Sequence, residues 1–117
     1  MAKNERVICA SVDLIDGGKG IRFDVARFGR QEPAFVIRYQ GRVFAYYNRC
    51  AHVPIEMDCN AGEFFDHSGL YLICATHGAL YHPATGRCQM GRCDGRGLEA
   101  LNVLEQDGHV YLMQEGE

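Results

Sequence analysis

No lysine- or arginine-rich run interrupts this sequence, and its 12 basic residues are outnumbered by 15 acidic ones, for a formal charge of −3. The concentrated positive footprint of a nucleic-acid binder is therefore missing. No stretch approaches the roughly 18 apolar residues of a membrane span. The opening MAKNERVICASVDLIDGG breaks its short apolar runs with charge and carries no leader cleavage pattern. A soluble cytoplasmic protein, bound to neither nucleic acid nor membrane, is the expectation. Six cysteines in 117 residues fall below the density of a disulfide-built mini-protein. Without a secretion signal they are expected to be thiols or metal ligands. Also missing are internal repeats, low-complexity tracts and any window of helical length with a 3.6-residue period, although AGEFFDHSG has the make-up for one helical turn inside a loop.

What remains is β-like. Short apolar segments with period-two character recur between turn signals: RVICASVDLI, GIRFDVARF, AFVIRYQ, RVFAYYN, GLYLICA, LEALNVLEQ and HVYLMQ. Gly41 in YQGRV and the Asp107-Gly108 pair in EQDGHV sit between such segments and predict tight antiparallel hairpins. The length suits one domain, residues 1–117, of all-β class. From about Asn48 to Cys93 the chain gathers five of its six cysteines, four of its five histidines and two of its three prolines. That composition predicts a loop-rich subdomain inserted into the β frame, the usual place for function on a rigid scaffold.

Within that stretch, Cys50-x-His52 and Cys74-x-x-His77 each present one thiolate and one imidazole, with 21 residues between His52 and Cys74. A structural zinc site commonly pairs like with like, as C-x2-4-C and H-x3-5-H. A two-iron, two-sulfide cluster with two thiolates on one iron and two imidazoles on the other needs each loop to reach both metals. Mixed pairing on both loops fits the second better. Mononuclear zinc, or unrelated cysteines and surface histidines, are the alternatives. A Cys-His nucleophile would need an orienting group and an oxyanion site, and neither is signalled.

The ligand loops CAHVPIEM and CATHGALYHPATG, together with GRCDGRGLEALNV as a covering loop and following strand, resemble the Rieske [2Fe-2S] proteins over roughly residues 34–113. The resemblance implies a Rieske-like antiparallel β-sandwich with an inserted cluster-binding subdomain at about residues 48–93. It implies one [2Fe-2S] cluster, with Cys50 and Cys74 on the inner iron and His52 and His77 on the outer, solvent-near iron. Three departures stand out. The spacing between the ligand loops is a few residues long, so DCNAGEFFDHSG is expected to form an excursion near the cluster. The covering loop has Gly91-Arg92 where the family usually has Gly-Pro. Ala51, Val53, Ala75 and Thr76 flank the ligands, so the loop-to-loop disulfide of high-potential relatives is absent.

Replacing two thiolates by neutral imidazoles removes negative charge from around the cluster and eases its reduction. Rieske centres accordingly span about −150 to +300 mV, against about −400 mV for plant-type ferredoxins. In high-potential relatives a serine two residues and a tyrosine four residues after the second histidine donate hydrogen bonds to the sulfurs. The matching positions are Ala79 and Tyr81, which places the expected potential in the lower half of the range, with Tyr81 lifting it slightly. Histidine ligation also couples the electron to a proton, so the potential is expected to fall as pH rises through the alkaline range.

The other candidates have plainer readings. Cys9 is expected to be a core thiol, and Cys59, Cys88 and Cys93 inert packed thiols, with a second metal or a Cys88/Cys93 disulfide as the alternatives. His67, His82 and His109 are read as solvent-facing. Phe64 and Phe65 are read as capping a small satellite core, and Pro54, Ile55, Leu80 and Met90 as an apolar rim around the histidine tips. The resemblance as a whole implies a Rieske-type ferredoxin, a one-electron carrier between a reductase and an oxygenase-like acceptor and not itself an enzyme. A Rieske oxygenase would need in addition a mononuclear iron held by two histidines and a carboxylate, for which no histidine pair is left over. The alternative is a small regulatory or redox-sensing subunit whose metal centre is mainly structural.

Overall fold

In the computed structural model, the residues described are 5–27, 29–50, 56–58, 61–75, 78–91 and 96–113. The strands are β1 (Glu5–Ala10), β2 (Ile21–Arg27), β3 (Arg30–Tyr39), β4 (Arg42–Tyr47), β5 (Leu72–Ile73), β6 (Leu80–Tyr81), β7 (Cys88–Met90), β8 (Ala100–Leu101), β9 (Val103–Gln106) and β10 (His109–Met113). Among the described residues the only helix is a 3-10 turn at Ser11–Asp13. Strands β1, β10 and β9 form one sheet, β2, β3, β4 and β8 a second, and β5, β6 and β7 a third. Every strand pair is antiparallel.

Both hairpins expected from sequence are present. Tyr39 pairs with Arg42 and Gln106 with His109, each across a two-residue loop. Asp107 and Gly108 have φ of 53° and 79°, the left-handed pair that a type I′ turn needs to match strand twist. At the other hairpin the Asp16 carboxylate accepts the backbone N–H of Gln40 at 2.8 Å and of Gly41 at 2.6 Å.

The run Ala34-Phe35-Val36-Ile37 in β3 is wholly buried. Side chains alternate across a strand, so such a run needs cover on both faces. Phe35 and Ile37 face one cluster, with Phe44 and Tyr46 of β4 beside them. Val36 and Ala45 face the opposite way, onto Leu14 and Val110, while Ala34 packs with Val25 and Leu112. The second sheet is thus a middle layer, with the β1-β10-β9 sheet on one face and the lobe built from β5, β6 and β7 on the other.

The Arg38 guanidinium locks the first two layers together. It donates to both Glu105 carboxylate oxygens, at 3.0 and 2.5 Å, and to the carbonyls of Leu14 and Ser11 at 3.0 and 3.1 Å. The Glu105 carboxyl is held below its ordinary range, chiefly by that hydrogen bond.

AGEFFDHSG holds no helical turn. It forms tight turns, one closed by Gly69 N–H on the Asp66 carbonyl at 3.0 Å, and Phe65 bridges to Leu72. The strand partner outcompetes the helix because it buries Phe64 and half-buries Phe65. Phe64 is fully buried and stacks on Phe35 with centroids 3.9 Å apart. It therefore belongs to the main core and not to a satellite, with Phe65 packed alongside.

Candidate metal centre

Strand β4 delivers the first candidate ligand. Beyond Tyr47, the Asn48 N–H donates to the Pro33 carbonyl at 2.8 Å and Arg49 N–H to the Tyr47 carbonyl at 2.9 Å. This bend turns Cys50 inward, where it is 2% exposed. The second candidate ligand, Cys74, sits where the β5–β6 hairpin opens. Leu72 pairs with Tyr81 and Ile73 with Leu80. Cys74 then donates its N–H to the Ala79 carbonyl at 2.9 Å and accepts from Gly78 N–H at 2.8 Å.

Both thiols enter one apolar cluster that includes Phe35, Met57, Phe64 and Tyr81. Neither is in a disulfide. The Tyr81 hydroxyl lies 3.5 Å from Cys50 Sγ, so the tyrosine expected to tune the sulfur does reach it, while Ala79, also fully buried, supplies no hydroxyl. Two buried thiols from separate loops, walled by apolar side chains with a hydroxyl on one sulfur, fit the inner, thiolate-bound end of a [2Fe-2S] cluster. His52 and His77 lie outside the described residues, and among the described residues no group of three or more metal-ligating side chains assembles.

Gly91 comes up tightly against the second loop. A Cβ there would stand 2.9 Å from Ala79 Cα, and its φ is 104°. The Gly91-Arg92 pair therefore begins with a position that admits little but glycine.

Other candidates fall differently from their sequence reading. Cys88 is disulfide-bonded, which corrects the inert-thiol expectation for that residue; Cys59 and Cys93 lie outside the described residues. Cys9 is half-buried against the sandwich core, and burial raises its pKa. His67 and His109 are exposed. His82 instead is half-buried, its Nδ1 accepting from Ala84 N–H at 3.0 Å and its ring edge-on to Tyr39. Of the apolar rim, Met90 is exposed and Leu80 half-buried, while Pro54 and Ile55 lie outside the described residues.

Sequence reading missed the polar groups beneath the first loop. Asn48 and Asp58 are buried, the Asp58 side chain completely. Asn48 Nδ2 donates to Asp58 Oδ1 at 3.0 Å, and the Met57 N–H donates to Asn48 Oδ1 at 2.8 Å. Gly62 N–H donates to Asp58 Oδ2 at 2.9 Å, and Arg22 Nε stands 3.6 Å from that oxygen. The only signal was a pair of small polar residues bracketing a ligand motif. Tyr46, likewise buried, donates its hydroxyl to the Pro83 carbonyl at 2.6 Å, and desolvation raises its pKa.

A cleft of about 140 Å³ opens beside Asn48 and reaches Cys50. Its rims carry the pairs Arg27–Glu99 and Arg49–Glu32, whose charges cancel, so it is not an anion site.

The profile of the Rieske [2Fe-2S] domain matches residues 4–110. No curated protein sequence matches the chain. Among solved structures, the ferredoxin of carbazole 1,9a-dioxygenase from Nocardioides aromaticivorans is 18% identical with a TM-score of 0.72, over 97% of this chain and 100% of that one. A ferredoxin from a carbazole 1,9a-dioxygenase complex of reduced oxygenase and oxidized ferredoxin is 24% identical at TM-score 0.72, over 97% of this chain and 95% of that one. The quaternary ammonium Rieske monooxygenase CntA is 20% identical at TM-score 0.75, over 97% of this chain but 32% of its own. These likenesses establish the fold.

Proposed function

The chain belongs to the Rieske [2Fe-2S] domain family, and from that membership we propose that it is a Rieske-type ferredoxin, a one-electron carrier that passes electrons from a reductase to an oxygenase. The observation that carries this reading is the pair of buried thiols, Cys50 and Cys74, brought by separate loops into one apolar cluster with the Tyr81 hydroxyl on Cys50 Sγ. The oxygenase acceptor is proposed from the carbazole dioxygenase ferredoxin, which has this fold and forms a complex with its oxygenase.

Cys50 and Cys74 would hold the inner iron, and His52 and His77 the outer. A [2Fe-2S] cluster so held supplies a reversible one-electron site whose potential rises with imidazole ligation. Phe35, Met57, Phe64 and Leu72, all fully buried, keep water from the thiolates and lower the local dielectric. With Cys50 as a thiolate ligand, the Tyr81 hydroxyl, 3.5 Å from its sulfur, would be the donor and would favour the more negative, reduced form of the cluster. No side chain forms or breaks a bond to substrate in this reading.

Electron paramagnetic resonance of the dithionite-reduced protein tests it. A rhombic diiron signal, with iron and labile sulfide in equal amounts, is expected, lost in Cys50→Ser and altered in His77→Ala. A colourless protein containing only zinc would overturn the proposal.

A further inference from the structure

The buried amide of Asn48 does more than fill a polar hole under the first loop. Its Nδ2 donates to Asp58 and its Oδ1 accepts the Met57 N–H at 2.8 Å. Met57 is itself fully buried, and the oxygen of its peptide accepts the Ala75 N–H at 2.9 Å. Ala75 directly follows Cys74, and Asn48 stands two residues before Cys50. A continuous path therefore runs from Cys50 through the Asn48 side chain and the Met57 residue to Cys74. Asp58 anchors it from below: Asp58 Oδ2 accepts from Gly62 N–H at 2.9 Å, and the Gly62 carbonyl accepts from Gly20 N–H at 2.8 Å.

We infer that Asn48 is a positioning residue for the inner end of the cluster, setting the separation of the two thiolates by tying the Cys50 loop to the Cys74 loop through Met57. The inference rests on the reading that Cys50 and Cys74 hold the inner iron. The carboxamide suits the task because it presents a donor and an acceptor at once: the acceptor takes the peptide of one loop, the donor a carboxylate fixed by the next. Buried groups of this kind hold one geometry, since a half-satisfied arrangement leaves an unpaired dipole out of water. Partners of metal ligands commonly change metal affinity by about 10- to 100-fold when removed.

Asn48→Leu keeps the branched shape of the side chain and removes both bonds. In this variant, held at a temperature where it is fully folded, the g-values and midpoint potential are expected to shift. Iron release to a chelator should also speed by about 10- to 100-fold. The exchange Asn48→Asp with Asp58→Asn keeps the net charge and reproduces each hydrogen bond, with the direction of the bond between the two side chains reversed. It is expected to restore the wild-type g-values, whereas Asp58→Asn alone is not. A purely structural role would lower thermal stability without moving the g-values or the potential, and that outcome in Asn48→Leu overturns the inference. If that variant does not fold, the exchanged pair decides: wild-type g-values support the inference, and values displaced as far as in Asp58→Asn overturn it. A wild-type protein with no diiron signal fails at an earlier step, removing the ferredoxin reading and this inference with it.

Discussion

Tyr81 Oη stands 3.5 Å from Cys50 Sγ although 31 positions separate them in sequence. The β5–β6 hairpin makes the contact, because pairing Leu72 with Tyr81 puts the ring under the bend that follows β4. With Cys50 as a thiolate the hydroxyl is the donor. Such a bond, at about 1 kcal/mol net, corresponds to roughly 40 mV for one electron at 59 mV per tenfold. Tyr81→Phe is expected to lower the midpoint potential by about that much. Spectroelectrochemical titration measures it; an unchanged potential would show that the hydroxyl does not bond the sulfur in the holoprotein.

Gly91 and Gly29 separate backbone strain from steric contact. Both have positive φ, but a Cβ on Gly29 meets nothing within 4 Å, whereas one on Gly91 would press on the Ala79 backbone. Gly29→Ala should cost only the conformational term, about 1 kcal/mol. Gly91→Ala should cost clearly more and displace the backbone at Ala79. Thermal unfolding of the iron-loaded variants checks the order, and equal losses would remove the close approach from the explanation.

Acid should weaken the join between β3 and β9. The Glu105 carboxyl is held below its ordinary value by Arg38, so in the native state it stays ionised at pH values where the unfolded chain is already protonated. Its contribution is complete above the ordinary glutamate range and is lost as pH falls through the lowered folded value. Glu105→Gln should cost about 1 kcal/mol at neutral pH, and the gap to wild type should close in acid. A gap that widens on acidification, in denaturant melts across pH, would reverse the sign assigned here.

The disulfide at Cys88 predicts a count. Iron-free protein, denatured without reductant, should react with a thiol reagent at four cysteines, the six of the sequence less the two in the bridge. Six reactive thiols would mean that Cys88 is reduced.

The sequence carried much of this. The hairpins at Gly41 and Asp107-Gly108 were legible because a two-residue turn is a local matter of backbone conformation. The unbroken apolar run of β3 was visible, but its meaning, cover on both faces, depends on which layers later segments supply. Tyr81 was placed correctly by its spacing from His77. Phe64 was misjudged because its stacking partner, Phe35, belongs to β3, far back in the chain. Asn48 and Asp58 were invisible as a pair, since a polar residue's burial depends on the long-range fold and neither lies in a recognisable motif. The Cys88 bridge was weighed against a reducing compartment, a property of the surroundings that local spacing does not encode.

Because β3 is shared by both cores, the lobe carrying Cys74 and the sandwich beneath it have no seam at which one could melt while the other stands. Phe35 and Val36 are chain neighbours pointing to opposite sides, so loosening either core disturbs the strand that floors the other. The lobe carrying Cys74 should therefore unfold together with its scaffold, as one cooperative transition.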